Sequence, residues 1–383
     1  MARAPRVLTI HPGVPFLATF AQHLLDGNIV RGIGPDMAPL DFAAATIYVP
    51  TRRAARALSS ELIRRLPGPA VLLPNIVPLG HLESIETGLL FDAGDGPVDG
   101  VPDAMSAIER RMILMRLVHT WAGQLAHAIT HVEGTEIKTD KSEALLVARA
   151  PAQAWHLAGD LAALIDEMIV EDADWSKLQD LAPHEFDRYW AVTIQFLGIA
   201  SQAWPDILNA RQLVDAATRQ RRLVDHEIAR LARIDTGAPV IAIGSTGTNR
   251  ATARLLAAIA RQDQGAVVLP GLDRTLDEAA WRLIEGDPDE GVDPAASHPQ
   301  AALHRLLPTL GVTRDDVMDL GTPDAALAAR IALLGEAFRP ADTTESWSAY
   351  TATLGERLRE RALAKGGGMG GPALRRVGGA EGL

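Results

Sequence analysis

The sequence predicts an α/β fold in which a parallel sheet is interrupted by a large all-helical insertion. Strand and helix patterns alternate from residue 6 to residue 73. From about 104 to 212 no strand pattern occurs, and long amphipathic helical patterns follow one another. Strand patterns return from residue 239. Alternating strands and helices are typical of a parallel sheet, and the interruption indicates an insertion into it.

The first elements alternate regularly. Residues 6–10 (RVLTI) are a short β-branched run that ends at Pro12-Gly13, which predicts a buried strand followed by a turn and a helix. Residues 45–50 predict a second strand, and Thr51 can N-cap a helix over 52–66. A third short strand is predicted at 70–73. The residues expected to face inward from the second helix are Ala54, Ala55, Leu58, Leu62 and Ile63.

The helical block begins with a capping-box pattern at Ser106 and Glu109. Its predicted helices are 110–129, 144–171 and 186–203. The returning α/β pattern predicts helices at 215–233 and 250–261 and strands at 239–243 and 266–269.

These elements predict three segments. Residues 1–103 and 213–345 would form one α/β domain, and 104–212 would form the helical insertion. Residues 346–383 would be the start of a further segment and a Gly-rich tail that has nothing to bury, so we expect this tail to be disordered.

Composition limits the classes of function. The chain has 383 residues, 47% of them hydrophobic, which suffices for substantial cores. It has no Cys, so it cannot form a disulfide framework, a thiolate metal site or an iron–sulfur cluster. We expect no metal site, no signal peptide and no membrane span, and therefore a cytoplasmic location. The net charge of −11 argues against a generally basic DNA-coating protein but allows a local basic patch.

The turn after the first strand lies where a phosphate-binding loop would occur in a nucleotide hydrolase. Such a loop needs several glycines and a Lys, because backbone N–H groups and an ammonium hold the phosphates. His11, Pro12 and Gly13 stand there instead, with no Lys nearby, and proline has no N–H. The segment therefore predicts a degenerate phosphate loop without ATP hydrolysis.

Two other strand-to-helix junctions are candidates for contact with a phosphate backbone. Thr51, Arg52 and Arg53 begin a helix, and arginines at that position favour an approaching anion. The alternative is a solvated basic helix end. Ser245 and Thr246 lie in a Gly-Ser-Thr-Gly-Thr loop whose hydroxyls can also meet an anion. The alternative there is a loop that only caps its own helix.

Several long segments resemble the AddB family, the partner subunits of bacterial helicase–nucleases that process broken DNA ends, and the resemblance extends over about residues 1–350. The segments that carry it are RVLTIHPGVPFLATFAQHLLDG (6–27), ATIYVPTRRAARAL (45–58), LLPNIVPLG (72–80), FLGIASQAWPDIL (196–208), PVIAIGSTGTNRATARLLAAIARQDQGAVVLPGLD (239–273) and HPQAALHRLLPTLGV (298–312).

The resemblance implies a RecA-like, P-loop NTPase-like but degenerate α/β domain (1A-like) with a 1B-like helical insertion. It implies AddA, a helicase–nuclease, as the partner subunit, and single- and double-stranded DNA ends as ligands. The role would be in double-strand break repair by homologous recombination. ATP, Mg²⁺ and an iron–sulfur cluster would belong to the complete complex.

The chain also departs from the family pattern. AddB proteins are far longer, and neither their second helicase-like half nor their nuclease domain has a counterpart here. The leading interpretation is therefore the N-terminal part of AddB, acting as a non-catalytic DNA-interacting and scaffolding module without catalytic residues. The alternatives are an ATP-dependent helicase or exonuclease in its own right, and a non-functional truncated product.

Overall fold

The computed structural model of the chain describes residues 4–68, 70–79, 101–132, 150–179, 187–233, 237–286, 295–340 and 343. These residues divide into two compact units. The first contains the described residues of 1–272 and 302–324, and the second contains those of 273–301 and 325–383. The sheet and the helical block both belong to the first unit.

The first unit contains a six-stranded sheet in which every strand pairing is parallel. The strands are β1 (Val7–Ile10), β2 (Thr46–Val49), β3 (Asn75–Pro78), β4 (Val240–Ile243), β5 (Gly265–Pro270) and β6 (Met318–Leu320). Their order is β3-β2-β4-β5-β1-β6. This order differs from those of the two common doubly wound folds. The predicted α/β class with a parallel sheet is confirmed.

The described helices of the first unit flank the sheet or form the block between β3 and β4. They are α1 (Phe16–Leu25), α2 (Pro39–Ala44), α3 (Arg52–Arg65), α4 (Ala107–Val132), α5 (Pro151–Val170), α6 (Asp187–Gly198), α7 (Trp204–Arg211), α8 (Ala216–Arg233), α9 (Arg250–Ala260) and α11 (Ala301–Leu310), the last of which lies in this unit from Ala302 onward. The second unit contains α10 (Glu278–Glu285) and α12 (Ala325–Ala337). A 3-10 helix spans Trp175–Gln179, and a π-helical turn joins α6 to α7 over Ile199–Ala203. None of the described helices is long and apolar enough to cross a membrane.

Two hydrophobic clusters can be distinguished among the described residues of the first unit. The sheet core is formed mainly by β-branched and aromatic side chains such as Ile10, Phe20 and Ile47, all nearly inaccessible to solvent. The helical block has its own core, in which Leu114, Leu161 and Trp204 are buried. Burial of the apolar stripe of each helix against its neighbours stabilises the block.

The third strand differs from the prediction. Residues 70–73 form no strand, and pairing with β2 begins at Asn75, whose N–H donates to Ala45 O at 2.9 Å. The apolar run that suggested a strand includes Leu72, whose exposed fraction is 49%. Pro78 can end β3 because β3 is an edge strand.

Other differences follow from helix geometry and from pairing over long distances in sequence. Ile63 was expected to face inward but is 52% exposed, because one residue past the buried Leu62 turns the side chain by about 100°. The predicted helix at 186–203 ends as an α-helix at Gly198 and continues through the π turn into α7. Strand β6 was not predicted, because its three residues are too few to give a recognisable strand pattern.

Candidate nucleic-acid interface

A cavity of about 1010 Å³ lies beyond the carboxyl ends of β2, β3 and β4. Pro50, directly after β2, and Leu79, directly after β3, line it together with Gly244–Arg254, which follow β4. Its remaining wall comes from the end of α5, from α8 and from α11. All of these residues belong to the first compact unit.

The cavity lies at a reversal of the chain's path through the sheet. The connection from β2 runs outward to β3, whereas the connection from the neighbouring strand β4 runs the opposite way, to β5. In open parallel sheets, ligands bind in the crevice that such a reversal leaves outside the strand ends. Topology alone therefore makes this cavity a candidate binding site.

The loop after β4 is held by its own hydrogen bonds. Gly244 and Gly247 both have positive φ, at 69° and 60°. Ser245 Oγ accepts a hydrogen bond from Gly247 N at 3.3 Å. Asn249 Oδ1 caps α9 by accepting from Thr252 N at 2.7 Å. The helix cap is thus Asn249, and the half-buried Ser245 and Thr246 line the cavity.

Gly247 cannot be replaced without moving its surroundings. A Cβ at this position would lie 2.7 Å from Leu306 Cδ1 on α11, in addition to its strained φ. The loop therefore packs directly on α11, and this packing brings Arg305 into the cavity wall.

Four arginines line the cavity, and they differ in their partners. Arg221 pairs with Asp172 at 2.9 Å, and Arg254 pairs with Asp225 at 2.9 Å. Arg250 and Arg305 are exposed and form no ion pair with any residue that the structure describes. Two positive charges therefore remain for an anionic ligand.

Part of the cavity lining is apolar. Ile169 and Val170, at the end of α5, contribute to it together with Pro50, Leu79 and Val224. Val170 is 40% exposed. A cavity lined by cationic, hydroxyl and aliphatic groups can accept a phosphate and an adjoining apolar moiety.

The sequence-predicted residues lie at neighbouring strand ends. Thr51 Oγ1 accepts from Ala54 N at 3.1 Å, so the predicted N-cap of α3 is confirmed. Arg52 and Arg53 are exposed on the first turn of α3, and neither has an ion-pair partner within the described ranges. They come shortly after the end of β2, while Ser245 and Thr246 follow β4, which pairs with β2.

Sequence reasoning missed all four arginines of the cavity, including the two without an ion-pair partner among the described residues, Arg250 and Arg305. Arg250 directly follows the loop that was singled out, so its place beside Ser245 could have been inferred. Arg305 lies more than fifty residues further along the chain, and no local pattern connects it with the loop.

The turn after β1 is filled by its own side chains. Val14 N donates to His11 O at 3.3 Å, so that donor is used within the turn. A Cβ at Gly271 would meet Pro12 at 3.2 Å, and one at Gly244 would meet the Phe16 ring at 3.4 Å. Pro12 and Pro15 have no N–H. The residues present at His11, Pro12 and Gly13 do not fit a nucleotide phosphate.

Helix α8 is fixed to the sheet beneath the cavity. Buried Tyr48, on β2, donates its hydroxyl to Glu227, and Arg230 Nε donates to the other Glu227 oxygen at 2.8 Å. Burial, reinforced by the charge of Glu227, raises the pKa of Tyr48, which keeps the phenol protonated as a donor. Gln220 Nε2 also donates to Leu79 O at 3.2 Å.

Within the described residues, no cluster of three or more His, Asp or Glu side chains suits a metal ion.

Comparison with protein-family models and with curated proteins finds no match to this chain.

Proposed function

We propose that this chain is a non-catalytic nucleic-acid-binding and scaffolding module that corresponds to the N-terminal part of an AddB-type subunit. The observation that carries the proposal is the arrangement at the carboxyl edge of the sheet. Arg250 and Arg305 are unpaired among the described residues and line one cavity with Ser245 and Thr246. Arg52 and Arg53 lie at the end of the adjoining strand.

A phosphate backbone is the ligand that best suits these groups. Guanidinium groups, hydroxyls and helix starts are the usual contacts to backbone phosphates, and they carry no base specificity. The net charge of −11 means that attraction must come from this local group of arginines rather than from the whole chain. We therefore expect weak binding by the chain alone, with affinity increasing in the complex.

The finer fold assignment is part of the same proposal. We infer a degenerate RecA-like domain with a 1B-like helical insertion, in which the turn at His11, Pro12 and Gly13 replaces the phosphate loop. The parallel sheet, its continuation after the helical block, and the self-filled turn support this assignment.

The biological setting follows from the sequence resemblance alone. We propose double-strand break repair by homologous recombination in the cytoplasm, with an AddA-type helicase–nuclease as partner and single- and double-stranded DNA ends as ligands. ATP, Mg²⁺ and an iron–sulfur cluster would serve the complete complex.

The proposal is tested by measuring the binding of a fluorescein-labelled oligothymidylate to the full chain by anisotropy over a range of salt concentrations. We expect Arg250→Ala with Arg305→Ala to weaken binding by about fivefold or more, corresponding to roughly 1 kcal/mol for a lost phosphate contact. The slope of log affinity against log salt concentration should become shallower by about one to two, because about that many fewer counter-ions are released on binding.

Arg116→Ala is the matched control, because Arg116 is exposed on α4 and does not line the cavity. It should change affinity far less than the double substitution. Equal losses in the two proteins, or no detectable binding by the unsubstituted chain at low salt, would refute the proposed interface.

A further inference from the structure

One ion pair spans the cavity wall between the helical block and the α/β part. Arg221 Nη1, on α8, lies 2.9 Å from Oδ1 of Asp172, which follows α5. Both residues line the cavity, and their side chains are 37% and 65% exposed. An exposed pair of this kind is weak and can exchange one partner for another anion.

The backbone places the Asp172 carboxylate at this point. Asp172 has φ 51°, one of two described non-glycine residues with positive φ. Its N–H donates to Ile169 O at 3.3 Å, and Ala173 N donates to Met168 O at 2.9 Å, which closes the end of α5. Aspartate tolerates this left-handed conformation better than most residues. The end of α5 therefore holds the Asp172 carboxylate beside the cavity.

The pairing distinguishes Asp172 from the other charged groups of the wall. Among the lining residues only Glu171 and Asp172 are acidic, and only Asp172 forms an ion pair with a lining arginine. The partner of Arg254 is Asp225, which does not line the cavity. Arg221 is thus the cavity arginine whose charge is neutralised from within the cavity.

We infer that Asp172 is an internal competitor for the nucleic-acid backbone, which holds Arg221 until a phosphate displaces it. This inference rests on the proposed function of the cavity. Arg250 and Arg305 would meet the first phosphates, and Arg221 would join them only after exchanging Asp172 for a phosphate oxygen. Because Asp172 occupies Arg221, a single anion should bind the cavity weakly. A polyanion that contacts several arginines at once can displace Asp172 and should bind more tightly.

The test compares oligothymidylate binding by the unsubstituted chain, Asp172→Asn and Glu171→Gln. Asparagine keeps the size of the side chain and tolerates the positive φ, and Glu171→Gln removes the same charge from the adjacent residue of the same wall. We expect Asp172→Asn to bind about two- to fivefold more tightly, the range that corresponds to releasing an exposed ion pair. Glu171→Gln should gain clearly less.

A double-substitution cycle separates competition from a general charge effect. If Asp172 acts by holding Arg221, Asp172→Asn should give no gain in an Arg221→Gln background. Equal gains for Asp172→Asn and Glu171→Gln, or a gain that persists without Arg221, would overturn the inference while leaving the binding site intact. Absence of binding by every protein, with unchanged circular dichroism, would instead overturn the proposed function and this inference together.

Discussion

The Tyr48, Glu227 and Arg230 side chains form the polar contact on which the cavity's position depends. Glu227 is 2% exposed, so its carboxylate is desolvated and requires both partners. Arg230 Nη2 approaches Glu227 Oε1 at 2.6 Å, and burial is the largest cause that raises the Tyr48 pKa. Since the contact joins β2 to α8, it sets where Gln220 and Arg221 meet the cavity.

At this scale we predict that Glu227→Ala lowers the free energy of unfolding by about 3 kcal/mol, because it leaves a partly buried guanidinium and a buried phenol unpaired. Tyr48→Phe should cost only about 1–2 kcal/mol, since the ion pair with Arg230 remains. Urea unfolding followed by circular dichroism measures both.

The control is Glu109→Ala, which breaks an exposed pair with Arg211 at 2.5 Å and should cost about 1 kcal/mol or less. A loss for Glu227→Ala as small as that of the control would show that the buried contact does not stabilise the fold.

At the scale of elements, the helical block is joined to α8 through adjacent connections. Val214 N donates to Asp103 O at 3.1 Å, and Met105 N donates to Val214 O at 2.9 Å. Arg110, on α4, then reaches Asp166 at 2.8 Å and Asp215 at 3.0 Å. Trp204 Nε1 donates to Asp215 at 3.1 Å. One buried arginine thus connects α4, α5 and the start of α8.

The pKa of Asp215 yields a prediction with a defined sign. Burial raises this pKa above its ordinary value of 3.8, although Arg110 opposes the shift. The folded state therefore holds this proton more tightly than the unfolded chain. The resulting stability is fully present below about 3.8 and is lost as pH rises through the higher folded pKa. The unfolding free energy of the unsubstituted chain relative to Asp215→Asn should fall as pH increases.

Asp174→Asn provides the control of opposite sign. The Ser176 hydroxyl and N–H donate to Asp174 and lower its pKa, so its contribution is present above 3.8 and is lost as pH falls. Urea unfolding between about pH 3 and pH 7 measures both differences. If the difference in unfolding free energy changed with pH in the same direction for both variants, burial would not be the cause of the Asp215 pKa shift.

For the whole molecule, the residues of the β1 turn yield a prediction about ATP hydrolysis. We predict no ATP turnover above background in the presence of single-stranded DNA, because the turn at His11–Gly13 is filled by its own residues and has no Lys. A phosphate-release assay checks this, with the buffer and a heat-denatured sample as controls. DNA-stimulated turnover by the purified chain would favour an enzyme in its own right.

Much of the secondary structure could be predicted because it depends on local patterns. Periodicity and capping residues placed β1, β2, β4 and β5 within a residue or two, and Thr51 correctly marked the start of α3. Strand β3 was misplaced and β6 missed, because these edge strands are defined by their hydrogen bonds to β2 and β1 rather than by their own composition. The candidate arginines and hydroxyls at the ends of β2 and β4 were also identifiable from their positions after strands.

The α/β class, the long run of helical patterns and the lack of Cys could be read from the sequence, since each is a property of single segments. The three-dimensional arrangement was needed to show that the segments after β2 and β4 lie side by side, that Arg305 lines the same cavity, and that Asp172 pairs with Arg221. These contacts connect residues separated by about fifty to two hundred positions. Such distant neighbours are selected by strand order and helix packing, which no local periodicity encodes.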